Sequence, residues 1–200
     1  MIDVIKCDFL KKGRICVHFD NGTQFVLYRS EARAFRIEKE ARLTEENYQK
    51  LLDEVVTKRA KKRAMYLLER MDRTESQLRE KLKLGGYPEE SIDAAIAYVK
   101  KFHYLDDYRY ACTFVRYSQE KMSRQQMRMK LGQKGISREL IESALDEEYR
   151  ADEQEQIFRL LQKRHFVEGT AADDKEFRRT YQYLIRRGFR SNDILKAMKK

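Results

Sequence analysis

Proline is nearly absent. Pro88 is the only one in 200 residues, beside eight glycines, and so few breakers argue for long helices. No stretch is apolar enough for a membrane span, and the N-terminus MIDVIKCDFLKKGR lacks the apolar run of a signal peptide. A cytoplasmic chain with no membrane partner is therefore expected. Cysteine is scarce and odd in number. Cys7, Cys16 and Cys112 form no CxxC, which fits a reducing compartment and argues against a disulfide framework or a zinc site. His18, His103 and His165 are scattered, with no HxxxH or HExxH. GxxxxGK[ST], GxGxxG and GxSxG are all missing. The one acidic doublet that invites a metal, Asp106-Asp107, suits a helix cap followed by a first-turn acid. The expectation is no enzyme, no cofactor and no metal.

What the chain has in excess is positive charge. The net charge is +10, which favours an anionic partner, either nucleic acid or an acidic protein surface. The charge comes in blocks. Thr57–Arg63 (TKRAKKR) holds five bases and no acid. Phe114–Arg138 holds seven bases against Glu120. Glu139–Gln156 reverses the sign, with eight acids against Arg150. Lys175–Lys200 returns to nine bases against two acids. Alternating blocks point to separate surfaces along an elongated molecule.

Residues 3–28 alternate in strand fashion. CVHF and TQFVLY flank a tight turn expected at Asn21-Gly22, and IKCDFL before Lys12-Gly13 supplies a third strand. A small meander is marginal alone, so it must pack on a helix. Ser30 before EARAF is the expected N-cap of one helix, and Thr44 opens another. In the latter, Tyr48, Leu51, Leu52, Val55 and Val56 keep helical spacing, and no breaker interrupts the run before Arg73.

Beyond Ala64 a pattern repeats. Leu82, Leu131 and Leu184 are each followed four residues later by Gly86, Gly135 and Gly188, then by Tyr87, Ile136 and Phe189. Ile92, Ile141 and Ile194 come next, with Ile96, Leu145 and Met198 one turn on; the steps are 49 and 53 residues. A left-handed glycine closes one helix, and the bulky residue folds back on its last turn. Pro88, Ser137 and Ser191 then start the next helix. Thr74 with Gln77, Ser123 with Gln126, and the region of Asp174 start the helix before each glycine. RAMYLLERM, DDYRYACTFVRYSQEK and DEQEQIFRLLQKRHF supply a further helix ahead of each pair. Phe114 is expected in the core, with Tyr110 and Tyr117 at helical spacing from it. The fold class is mainly α: a tandem array of three three-helix repeats, preceded by a small β-meander and linking helices. The expected boundaries are 1–63 for the N-terminal part and 64–107, 108–150 and 151–200 for the repeats.

A capped helix, a glycine turn and a second helix also outline a helix-turn-helix. The second helices PEESIDAAIAY and SRELIESALDEE, however, carry acids where a recognition helix needs basic or amide side chains. The bases lie on the helices before them. YLLERMDRTESQLREKLKLGGYPEESIDAAIAYVKKFHYLDDYRYACTFVR, with KLGQKGI at Lys130–Ile136, resembles the core of the bacterial RecX regulatory proteins. The match runs from about Ala64 to Lys200 and departs at Lys121-Met122-Ser123, where many members carry a glycine. The resemblance implies a modulator of the RecA recombinase. It would lie in the groove of the RecA–DNA filament and inhibit ATPase, strand-exchange and coprotease activities in recombination and the SOS response. The expected partners are the RecA filament and, weakly and without sequence preference, single- or double-stranded DNA, with the chain acting as a monomer. The expected binding face carries Arg116, Lys121, Arg124, Arg128, Lys130, Lys134, Arg178, Arg179, Arg186, Arg187 and Arg190. The competing reading is a helix-turn-helix DNA-binding protein that acts without RecA.

Overall fold

The structure, a computed structural model, describes residues 1–166 and 174–199. It divides into two units, Met1–Asp106 and Asp107–Lys200. The first opens with β1 (Ile2–Leu10), β2 (Arg14–Phe19) and β3 (Gln24–Tyr28). All pair antiparallel, in the order β3-β2-β1-β4, where β4 is Arg42–Leu43. The alternation fixes which face is buried: Ile15, Val17 and Phe19 of β2 and Phe25 and Leu27 of β3 all point into one core. Two local expectations are corrected. The β2–β3 connection spans residues 20–23 rather than a two-residue turn. Only Gly22 takes a positive φ (+78°), because the Asn21 side chain accepts from both Thr23 N and Oγ1 and holds a wider loop. Helix α1 (Arg29–Ala34) starts ahead of Ser30, since the Glu31 carboxylate accepts from Tyr28 N at 2.7 Å and makes Tyr28 the cap. Strand β4 was not foreseen; two residues are too few for a period to show.

Thr44 caps α2 (Glu45–Leu51), accepting from Asn47 N at 3.2 Å. One π turn (Leu52–Thr57) carries the helix on into α3 (Lys58–Arg70), so no break falls near residue 63. This continuous helix belongs to two cores. Tyr48, Leu51, Leu52 and Val56 pack under the sheet, where the Tyr48 ring meets Phe19 edge-on at 5.2 Å. Ala60, Ala64 and Leu67 pack in the first repeat with α4 (Glu75–Leu84) and α5 (Glu89–Lys101). Thr57 and Ser91 join their hydroxyls at 2.8 Å where the cores adjoin.

The second unit holds α6 (Asp107–Ser118), α7 (Arg124–Gln133) and α8 (Arg138–Glu148) around Met127, Leu131, Ile141 and Leu145. It also holds α9 (Glu153–Lys163), α10 (Lys175–Arg186) and α11 (Ser191–Met198) around Ile157, Phe177, Leu184 and Ile194. Phe114 is half-buried against the second core, whereas Tyr117 is 77% exposed. Caps fall on Thr74, Ser123, Ser137, Asp152 and Asp174, each accepting a backbone N–H of the first turn. Ser191 is a correction: Arg190 takes the cap position, and the Ser191 hydroxyl bonds Tyr181 Oη at 2.8 Å instead.

The three glycine turns share one geometry. Gly86, Gly135 and Gly188 have φ of +80°, +81° and +81°. The amides of Tyr87, Ile136 and Phe189 return to the carbonyls of Leu82, Leu131 and Leu184 at 3.4, 3.3 and 3.3 Å. Two of the turns also touch what lies ahead of them in the chain. The Gly86 carbonyl accepts from Val26 N of β3 at 2.9 Å. The Arg187 carbonyl accepts from the buried Ser123 hydroxyl at 2.8 Å, so the cap of α7 also holds the turn of the next repeat. A Cβ on Gly188 would stand 2.7 Å from Ser123 Oγ, whereas one on Gly132, within α7, would meet nothing. Gly188→Ala should therefore lower stability by about 1–3 kcal/mol or more through backbone strain alone. Gly132→Ala should raise it by about 0.5–1 kcal/mol. Urea melts of both variants check the pair, and equal shifts would contradict the assigned joint.

Candidate protein and nucleic-acid interface

The basic residues of α7 face the acids of α8. Arg128 forks onto Glu142 through Nε and Nη2, the latter at 2.8 Å. Arg124 reaches Asp146 and lies 3.7 Å from Glu142. From α6, Arg116 engages Glu148 through two nitrogens. The Arg128 guanidinium holds the Glu142 carboxyl below its usual range. Three of the arginines expected to bind a partner are thus paired within the second repeat. The first repeat has the same device one 49-residue step earlier, where Arg79 bonds Asp93 at 2.6 Å. In the third repeat the corresponding positions are Tyr181 and Leu195, both half-buried against the core. Neither side chain can form that ion pair.

That replacement leaves α10 unlike α4 and α7. Its buried line is Phe177, Thr180 and Leu184. Lys175, Arg178, Arg179, Gln182 and Arg186 fall on the opposite side at helical spacing, and all are exposed. Among the described residues none of the four cations of this stripe has an ion pair. A rigid helix with four solvated cations along one side fits phosphate or clustered carboxylates.

Beside the stripe a groove opens between the second and third repeats, lined by Arg124, Arg128, Met129, Glu153, Ile185 and Arg190 among others. Its floor is a polar joint. The Glu153 carboxylate accepts from Arg124 N at 2.9 Å and from Tyr149 Oη at 3.3 Å. Burial first, then the Glu153 charge, pushes the Tyr149 phenol up, so it stays a donor. Gln156, buried, donates to the Gln119 carbonyl.

The remaining expected residues are dispersed. Arg187 donates to the Lys121 carbonyl at 3.4 Å and lies over the Tyr183 ring at 4.6 Å. Lys134 lies over Tyr110 at 5.5 Å, and Lys130 is half-exposed near the end of α7. The groove collects Arg124, Arg128 and Arg190; α10 collects Arg178, Arg179 and Arg186; Arg116 stands apart on α6. Cys112, Glu147 and Glu148 offer ligand atoms within 4.8 Å of one another. Their chemistry does not suit a cation: Tyr108 donates to Glu147, Arg116 occupies Glu148, and burial pushes the Cys112 thiol up. Among the described residues no helix is long and apolar enough to cross a membrane.

Three family models match in succession: RecX first three-helix domain over 60–98, second over 106–145 and third over 151–198. The chain belongs to the RecX family. A protein named regulatory protein RecX from Caldanaerobacter subterraneus subsp. tengcongensis is 32% identical over 163 residues, 81% of this chain and 80% of its own. One of the same name from Vibrio campbellii is 34% identical over 152 residues, 76% of this chain and 96% of its own. A crystal structure of regulatory protein RecX superposes with a TM-score of 0.65 at 24% identity over 100% of both chains, a likeness of fold. The RecX family is one of regulatory proteins, and the matched residues cover all three repeats.

The paired acids make stability pH-dependent. Glu142 has a depressed folded pKa, so its contribution is present above the unfolded value, about 4.3. It is lost as pH falls through the lower folded value. Thermal melts across acid pH should show a fall in Tm that is shallower in Glu142→Gln, whose Tm at neutral pH is already lower. Parallel profiles would remove Glu142 from the account.

Proposed function

We propose that this chain regulates RecA, binding the RecA–DNA filament and mainly inhibiting its ATPase, strand-exchange and coprotease activities. Family membership supports the regulatory part of that reading. The observation that carries the binding part is the cationic stripe on α10, which has no ion pair among the described residues. Arginines of the second repeat are neutralised from within, so the third repeat presents the strongest solvated charge of the expected face. A filament is a repeating polyanion sheathed in protein, and it suits a ligand that makes several modest contacts at once. DNA contributes phosphate contacts without sequence preference, and the chain acts as a monomer. The helix-turn-helix alternative would seat α5 or α8 in the major groove. There Asp93, Glu142 and Asp146 would face phosphates while their arginine partners lie on the preceding helices.

RecA ATPase on single-stranded DNA, with and without the chain, tests the reading. Inhibition is expected. The triple variant Arg178→Glu, Arg179→Glu, Arg186→Glu should lose most of it while keeping its Tm, because none of the three supports a described ion pair. If duplex phosphates dominate, log affinity should fall with log salt by about 0.9 per phosphate contacted. Full inhibition by the triple variant would move the binding face off α10. Unchanged ATPase with the unaltered chain would remove the RecA reading itself.

A further inference from the structure

We infer that the first unit carries its own binding surface for single-stranded nucleic acid, formed by the rings of Tyr98, Phe102 and Tyr104 and the lysines at the start of α3. The three rings make a row. Tyr98 and Phe102 have centroids 4.9 Å apart, and Phe102 and Tyr104 6.4 Å. They are 38%, 50% and 50% exposed, well beyond what core packing needs. Tyr98 and Phe102 stand one helical turn apart at the C-terminal end of α5, so backbone geometry, not chance rotamers, aligns them. Lys61 links the row to α3, its Nζ lying 5.5 Å from the Tyr98 centroid.

Around the row the charge is positive. Lys58 is the i–3 neighbour of Lys61 on the same side of α3, Lys62 follows it, and Lys101 closes α5. Lys58, Lys62 and Lys101 are exposed, and none of the four lysines has an ion pair among the described residues. Lys100, by contrast, is engaged by Glu75. The acids closest in sequence are Glu54, one turn before Lys58, and Asp106, two residues beyond Tyr104.

Rings in series with cations beside them select a ligand that alternates flat faces with negative charge. A single strand does this at every nucleotide: unpaired bases stack on the rings while the phosphates meet the lysines. A duplex offers the same phosphates but keeps its base faces inside. An acidic protein would match the lysines but offer no flat faces to the rings. The surface is independent of α10 and of any action on RecA.

Fluorescence anisotropy of a labelled oligothymidylate with the full chain, no RecA present, tests the proposal. Its arms are the same-length duplex and oligouridylate; equal affinity for the DNA and RNA strands is expected from stacking without contact to the 2′-hydroxyl. Tyr98→Ala combined with Phe102→Ala should bind the single strand about tenfold more weakly or worse, with duplex affinity little changed. Lys58→Glu combined with Lys62→Glu, both at exposed positions, should weaken single-strand binding and flatten its salt dependence while keeping the Tm. Binding unaffected by both pairs of substitutions, or a strand affinity no higher than that for duplex, would overturn the proposal. Because RecA is absent, either result leaves the regulatory reading untouched.

Discussion

The backbone at the glycine turns is the constraint on which the repeats depend. A helix ends with carbonyls that need donors, and here the amide two residues beyond the C-cap supplies one by folding back on the leucine. Only a left-handed residue allows the fold-back, and the missing side chain of glycine also lets another backbone come close. Both properties are used at Gly86, against Val26 of the sheet, and at Gly188, against Ser123. At these two positions the turn between a repeat's second and third helices is thus also the place where that repeat meets what came earlier in the chain. A residue with a side chain would fail at both tasks together.

Charge follows from the same periodicity. Arg79 with Asp93, and Arg128 with Glu142, are one contact made twice between a first helix and its partner. In the second repeat it crosses from the basic block of Phe114–Arg138 to the acidic block of Glu139–Gln156. Half-exposed pairs of this kind contribute little stability each, about 0–1 kcal/mol. Their larger effect is on recognition, because they remove charge from the surface. In the third repeat Tyr181 and Leu195 occupy those positions, and the exposed cations of α10 have no ion pair among the described residues. Repetition of fold therefore coexists with specialisation of surface.

Much of the fold is legible before any coordinate. The leucine-to-glycine spacing, the bulky residue behind it, and caps such as Thr74, Ser123 and Asp174 each act over a few residues, and local rules suffice for them. The corrections arise where a distant group competes. Ser30 loses its capping role because Glu31 already satisfies Tyr28 N, and Ser191 loses its own because Tyr181 takes the hydroxyl. The candidate interface is less legible for the same reason. A count of bases over Phe114–Arg138 cannot tell Arg124 and Arg128, whose partners lie on another helix, from Arg178 and Arg179. The signal was available only by setting the repeats in register and noticing that position 181 is no longer arginine and 195 no longer acidic. The ring row of the first unit was missed because Tyr98, Phe102 and Tyr104 look like core aromatics until their exposure is known.

The helix that runs from Glu45 through the π turn to Arg70 sets the grain of cooperativity. Solenoid repeats are ordinarily separable, and an end unit can fray while its neighbour holds. Here one rod of backbone hydrogen bonds passes through both the sheet core and the first repeat core, and Thr57 with Ser91 pins the two together. Neither core can open without breaking that rod. The β-meander is therefore less an appended domain than an end-stop, and it holds the first repeat against the fraying to which a terminal member of an array is exposed.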